Sequence, residues 1–278
     1  MMHQPFTSLR ILLTGLMMMQ VTAASTQGLE GVYVEPYYRS VAADLDSTDW
    51  VPLVPGTICY RVFADLAPGW KLQAVFGSKQ HPLVISTTTE FFNDPVNDEV
   101  LAGRILSTKL GTGYTLIDTW LTLGAGSSVH MAVPSDEDPD GSILSPVSSS
   151  VHASAGWLPA GPELYRSDGL VPGIAPAVTR VGADLLVFSG RGNGNEWRLT
   201  NGALAVIEGV QGVTASNRVL IGQFTTSGTL SLELNLQLVR PDGTSEQYVA
   251  RNPIGSEVQS GCLIWNSASG ITRQENNH

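Results

Sequence analysis

The chain has 278 residues and a formal net charge of −10, with only 14% of its residues charged. That acidic balance excludes the cationic footprint that nucleic-acid binding requires, and it disfavours docking on anionic lipid. Its 29 glycines, set among β-branched runs, predict an all-β, antiparallel sandwich-like fold with few or no helices, built as one unit or two packed lobes.

Residues 1–24 read as a secretory signal peptide. Arg10 supplies the positive start, Ile11 to Met19 form a short apolar run, and Val21-Thr22-Ala23-Ala24 offers small residues for cleavage. The run is short for a bilayer, and no later run is long enough, so the mature chain is expected to have no membrane span. The expected location is outside the cytoplasm, either periplasmic or extracellular. In that oxidising compartment Cys59 and Cys262 are predicted to form a disulfide tying the first and last strands; the alternative is two buried free thiols.

Residues 25–133 are predicted to hold the first β lobe. Gly31 to Val41 is aromatic and β-branched but interrupted by Pro36, which marks an edge strand or a bulge. Thr57 to Leu66 reads as a strand, and Trp70 to Phe76 as its hairpin partner after the Ala67-Pro68-Gly69 turn. Leu83 to Phe92 and Leu116 to Leu123 are further strands. Residues 134–176 are rich in Ser, Pro, Gly and Asp and read as a long loop or a connection. A second lobe follows over 177–266, with strands at Asp184 to Ser189, Glu196 to Leu199, Ala203 to Glu208, Val219 to Thr225, Thr229 to Val239, Ser245 to Ala250 and Cys262 to Trp265. Residues 267–278 form a polar tail. The clearest pattern is Leu230, Leu232, Leu234, Leu236 and Leu238 alternating with Ser231, Glu233, Asn235 and Gln237, the period of a half-buried strand.

Several segments together resemble a family of secreted β-rich modules from surface and secreted proteins of environmental Gram-negative bacteria, many exported by type IX secretion. They are Val34 to Tyr38, Tyr60 to Gly69, Phe91-Phe92-Asn93, Asp118 to Leu121, Arg218 to Gly228, Leu232 to Gln237 and Tyr248 to Pro253. The resemblance implies a secreted module and supplies no catalytic residues.

Among candidate sites, Asp136, Asp138 and Asp140 sit at alternate positions before Gly141. Carboxylates so spaced can converge on a hard cation, so a calcium-binding turn is one reading and a solvated acidic loop the other. An EF-hand is excluded, because its twelfth position is Val147. Ser189-Gly190-Arg191-Gly192-Asn193-Gly194-Asn195 is glycine-rich, but a strand follows it where a phosphate-cradling loop would open a helix. The histidines after the leader, His81, His130, His152 and His278, show no zinc-ligand spacing. Asp118 beside Trp120 has the composition of a sugar-binding site, as do Trp70, Trp157 and Trp197, with burial in a core as the alternative use. Glu35, Asp65, Glu90, Asp118 and Glu233 could pair in space for glycoside hydrolysis.

These features predict a secreted, non-enzymatic structural or adhesion module. A calcium-dependent or carbohydrate-binding recognition module is the first alternative, and a β-sandwich glycoside hydrolase or lyase the second. Calcium is the only cofactor suggested. Extracellular polysaccharide, or a second copy paired through sheet edges, are the partners suggested.

Overall fold

A computed structural model describes residues 27–41, 53–110, 114–138, 167–190, 192–270 and 273–275. In chain order the strands are β1 (Leu29–Arg39), β2 (Ile58–Leu66), β3 (Lys71–Gly77), β4 (Leu83–Thr87), β5 (Trp120–Leu121), β6 (Ala125–Ser127), β7 (His130–Ala132), β8 (Leu170–Pro172) and β9 (Thr179–Val181). They continue as β10 (Glu196–Leu199), β11 (Gly202–Val210), β12 (Arg218–Thr226), β13 (Leu230–Glu233), β14 (Asn235–Val239), β15 (Ser245–Val249), β16 (Val258–Gln259), β17 (Ile264–Asn266) and β18 (Arg273–Glu275). The fold is all-β and largely antiparallel; among the described residues the only helical pieces are three-residue 3-10 turns, and no helix is long and apolar enough to cross a membrane.

The strands make four sheets. The first has the order β18-β1-β2-β12-β5. The second, β10-β4-β13-β17, and the third, β16-β15-β14-β3-β11-β9, run in matching order. The chain passes directly from β3 to β4, from β10 to β11 and from β13 to β14, so these two sheets are halves of one bent layer. The change from one half to the other falls at Leu234 and Asn235: the Leu234 N–H still donates to the Leu263 carbonyl, in register with the β13–β17 ladder, while the Asn235 amide donates to the carbonyls of Phe76 and His81. On the neighbouring strands Gly77 lies so close to the Leu199 carbonyl that a Cβ would sit 1.9 Å from that oxygen, so only glycine fits there. The alternating leucines, all buried, face the first sheet across the main core with Val32, Val34, Val62, Ala64 and Phe224.

The first sheet is not wet on its other face. Tyr37, Tyr38, Cys59, Phe63, Trp120 and Leu220 form a second core with Ala102, Ile105, Leu116 and Ile117 and with Ala132 and Leu170 of the small sheet β6-β7-β8. The molecule therefore has three layers, and β2 is buried along almost all of its length. The two strand-rich stretches of sequence share sheets, since β2 pairs with β12 and β3 pairs with both β11 and β14.

Several sequence expectations need correction. Cys59 and Cys262 are free and buried, not bridged. Cys59 points into the outer core and Cys262 into the main core, and β17, which follows Cys262, pairs with β13 and not with β2. β2 and β3 are not a hairpin: the chain turns at Ala67 to Trp70 and crosses from one layer to the other. Leu116 to Leu123 and Asp184 to Ser189 are not continuous strands: the first holds the end of a 3-10 turn, Thr115–Ile117, and the two-residue β5, and the second holds a 3-10 turn, Leu186–Phe188. Pro36 lies at a register shift, beyond the three residues of β1 that pair with β18, where its missing N–H costs no bond.

Burial accounts for the free thiols, pushing the Cys59 thiol up to about 12 and the Cys262 thiol to about 11. Native protein should consume no thiol reagent over an hour at pH 8, and two equivalents once unfolded in guanidinium. A non-reducing peptide map with Cys59 linked to Cys262 would contradict this.

Candidate functional site

Two polar constellations sit on the first sheet. One is buried beneath the cover layer; the other opens at the end of the sandwich.

The buried one is a row of directly opposed residues across four strands: Glu35 on β1, Arg61 on β2, Gln223 on β12 and Trp120 on β5. Arg61 is only 2% exposed, and a guanidinium cannot shed its charge, so it must be satisfied in place. Its Nε donates to Gln223 Oε1 at 3.0 Å, its Nη1 reaches the carbonyls of Asp168 and Gly169, and its plane lies 3.4 Å from the Tyr37 ring centroid. Gln223 turns its own NH2 to the carbonyls of Leu116 and Asp118, fastening the cover layer to the sheet.

Glu35 accepts from the N–H and the hydroxyl of Ser135. Burial outweighs both Arg61 and those bonds and raises its carboxyl from the ordinary 4.5 to about 7. Asp118 is also raised, first by burial, although its Oδ1 accepts from the N–H groups of Asp94 and Thr119.

The acidic turn beside this row is a strap. Glu137 accepts from Thr214, from Ser216 Oγ at 2.6 Å and from Arg218 at 2.8 Å. Asp138 accepts from the Gly169 N–H at 2.7 Å, and the exposed Asp136 lies 3.8 Å from Arg218. Asp136 and Glu137 turn to Arg218 while Asp138 turns away to Gly169, and no group of three His, Cys, Asp or Glu among the described residues is placed to hold a metal. Asp140 and Gly141, the remainder of the calcium reading, lie outside the described residues.

The open constellation is a cleft of about 810 Å³. One side is the segment Thr88 to Asn93, held by the bonds from the Phe91 N–H to Gly194 O and from the Phe92 N–H to Thr225 O. The floor is Thr226, whose hydroxyl meets those of Thr87 at 2.6 Å and Thr89 at 2.8 Å and accepts from the Gly228 N–H. The facing wall is the glycine loop. Asn93 Nδ2 donates to the carbonyls of Val187 and Gly192 and so ties that loop down, while Asn93 Oδ1 is buried without a hydrogen-bond partner among the described residues. The glycines permit this approach: a Cβ at Gly192 would fall 1.8 Å from the Leu186 carbonyl. Leu53, Val54, Thr57 and Pro95 complete the lining, and Glu90 is the one charged residue among the described residues that form it. Arg191 lies outside them.

The sequence pointed elsewhere. Asp118 and Trp120 are 1% and 2% exposed, and Trp70 and Trp197 are also buried, so none offers a ring face to a sugar; Trp157 is outside the described residues. Of the five carboxylates considered for hydrolysis only Glu90 lines the cleft. His130 Nδ1 lies 2.7 Å from Ser127 Oγ, but that serine is fully buried and accepts from the Val129 N–H at 3.4 Å, as in a turn. His81 sits between the Arg251 carbonyl and Glu257. The signal that could have found the cleft is the run of Thr87-Thr88-Thr89 before Phe91-Phe92-Asn93, together with asparagines alternating with glycines at 192–195.

Comparison of the chain with protein-family models, with curated proteins and with solved structures finds no match.

The raised Glu35 carboxyl sets a pH dependence. Native Glu35 keeps its proton up to about 7, whereas the unfolded chain releases it near 4.5. The stabilisation is therefore complete below pH 4.5 and is lost as pH rises through 7, a change of about 3 kcal/mol. Glu35→Gln should flatten unfolding free energy against pH over this window, leaving the same-signed slopes from the other raised carboxyls, Asp118 and Glu99. An unchanged slope would contradict the assignment. Gln223→Leu should cost about 3–5 kcal/mol in urea titration, because it strands Arg61 and two carbonyls.

Proposed function

We propose that the chain is a secreted, non-enzymatic module of extracellular adhesion or structure that engages its partner in the cleft at the end of the sandwich. One observation carries this reading: the cleft gathers side-chain amides and hydroxyls over a rigid floor, with a single carboxylate and no nucleophile set beside a base among the described residues that line it. A lone carboxylate cannot perform the two-carboxylate chemistry of a glycosidase.

Secretion is supported by the leader read in residues 1–24. The resemblance to secreted β-rich modules of Gram-negative bacteria agrees with it, and two of the segments that carry that resemblance are the paired strands β2 and β12. Buried thiols are compatible with an oxidising compartment, because a thiol without access to oxidant stays reduced.

Expressed in a Gram-negative host, the protein should be exported and begin at Ala24 or Ser25 by mass spectrometry. It should sediment with insoluble envelope or polysaccharide material and turn over no polysaccharide or peptide. Robust turnover of any substrate in such a panel would overturn the non-enzymatic reading, and cytoplasmic retention with an intact leader would overturn secretion.

A further inference from the structure

The lining of the cleft selects a chemical class of ligand, an inference that rests on the cleft being the functional site. Asn193 and Asn195 are exposed, lie two residues apart on one wall, and neither side chain has a hydrogen-bond partner among the described residues. The same cleft is lined by a chain of hydroxyls, Ser227 to Thr89 at 3.4 Å and Thr89 to Thr226 at 2.8 Å. Amides and hydroxyls both donate and accept. A surface made of them matches a ligand whose groups also do both. Among the described residues the lining is a poor match for an anion, which wants only donors, and their one carboxylate is a thin basis for holding a cation.

Beside these groups lie apolar surfaces. Phe92 is half-buried, with its ring packed edge-on against Tyr114 at 5.3 Å, and Val54 and Pro95 are exposed. Hydroxyl-rich edges combined with an apolar face describe a pyranose. The cavity volume lies within the usual range for small-ligand sites, so several linked sugar rings can be accommodated. Asn93 Oδ1, buried at the wall without a partner among the described residues, is a further acceptor that a ligand hydroxyl can satisfy after a small adjustment of the amide.

We infer that the cleft binds a neutral oligosaccharide, a chain of hydroxylated rings without carboxylate or sulfate groups, through the Asn193 and Asn195 amides and the hydroxyls of Thr89 and Ser227.

The test is a glycan array of neutral and anionic oligosaccharides, with a peptide panel alongside and calorimetric titration of whatever binds. Wild type is compared with Asn193→Ala, Asn195→Ala and Ile207→Ser, the last exposed on β11 outside the cleft. Neutral oligosaccharides should bind. Each asparagine variant should weaken binding about five- to ten-fold, the worth of one hydrogen bond, with unchanged thermal midpoint because neither amide supports the fold. Ile207→Ser should bind as wild type. Binding confined to anionic glycans or peptides, yet weakened by the same asparagine variants, would overturn the neutral-sugar assignment and keep the cleft as the binding site. No binding, or binding indifferent to both asparagine variants, would overturn the inference and remove the support for the cleft together.

Discussion

A central sheet covered on both faces has no solvent in which to place a charge. β2 lies in that position, between the bent double layer and the cover, and it carries Arg61. Much of the outer architecture follows from satisfying that one guanidinium. Gln223 must stand opposite it on β12, Tyr37 must lie under its plane, and the carbonyls of Asp168 and Gly169 must be brought over it. A hydrophobic residue at 61 would ask for none of this. The strap repeats the device at the far end of the sheet, where Arg218, itself stacked 4.3 Å from the Tyr33 ring centroid, fixes Glu137. The cover is thus located by a few directional bonds as well as by the apolar contacts of the outer core, which alone would tolerate sliding.

The cleft inherits its rigidity from this arrangement. Its floor, Thr226, is the last residue of β12, and Phe91 bridges to that residue while its ring packs against Phe188 and Phe224 in the main core. Groups presented by a strand end anchored this way hold their positions without a ligand, which lowers the ordering cost of binding. The contrast between the two polar constellations is also chemical. The buried row is charged and fully enclosed, and its role is to join layers. The open cleft, in its described residues, is mostly neutral and has amides left over.

The alternation of leucines from 230 to 238 was legible because a period of two depends on the strand alone. The turns at Gly228 and Gly243 were legible for the same local reason. Sequence reasoning went wrong where the answer depended on what lies above a strand. Glu35 and Arg61 look like wet-face residues in an alternating pattern, and only the cover layer makes them interior. Thr115 to Ile117 and Leu186 to Phe188 are apolar runs too short to carry a period, so burial disguised 3-10 turns as strands. The expected disulfide rested on compartment and count, which say nothing about which face of a sheet a side chain takes; Cys59 and Cys262 point into different cores. The cleft draws on residues near 54, 90, 193 and 227, and no local pattern unites them.

The central claim is that the first sheet is enclosed on both sides, and amide hydrogen exchange resolved by peptide tests it most directly. Amides of β2 and β12 should exchange only through global unfolding, at a common rate slower than that of the edge strands β9 and β10. Exchange of β12 as fast as those edges would show that the cover does not close the outer face, and the account of Arg61, the strap and the cleft floor would fail with it.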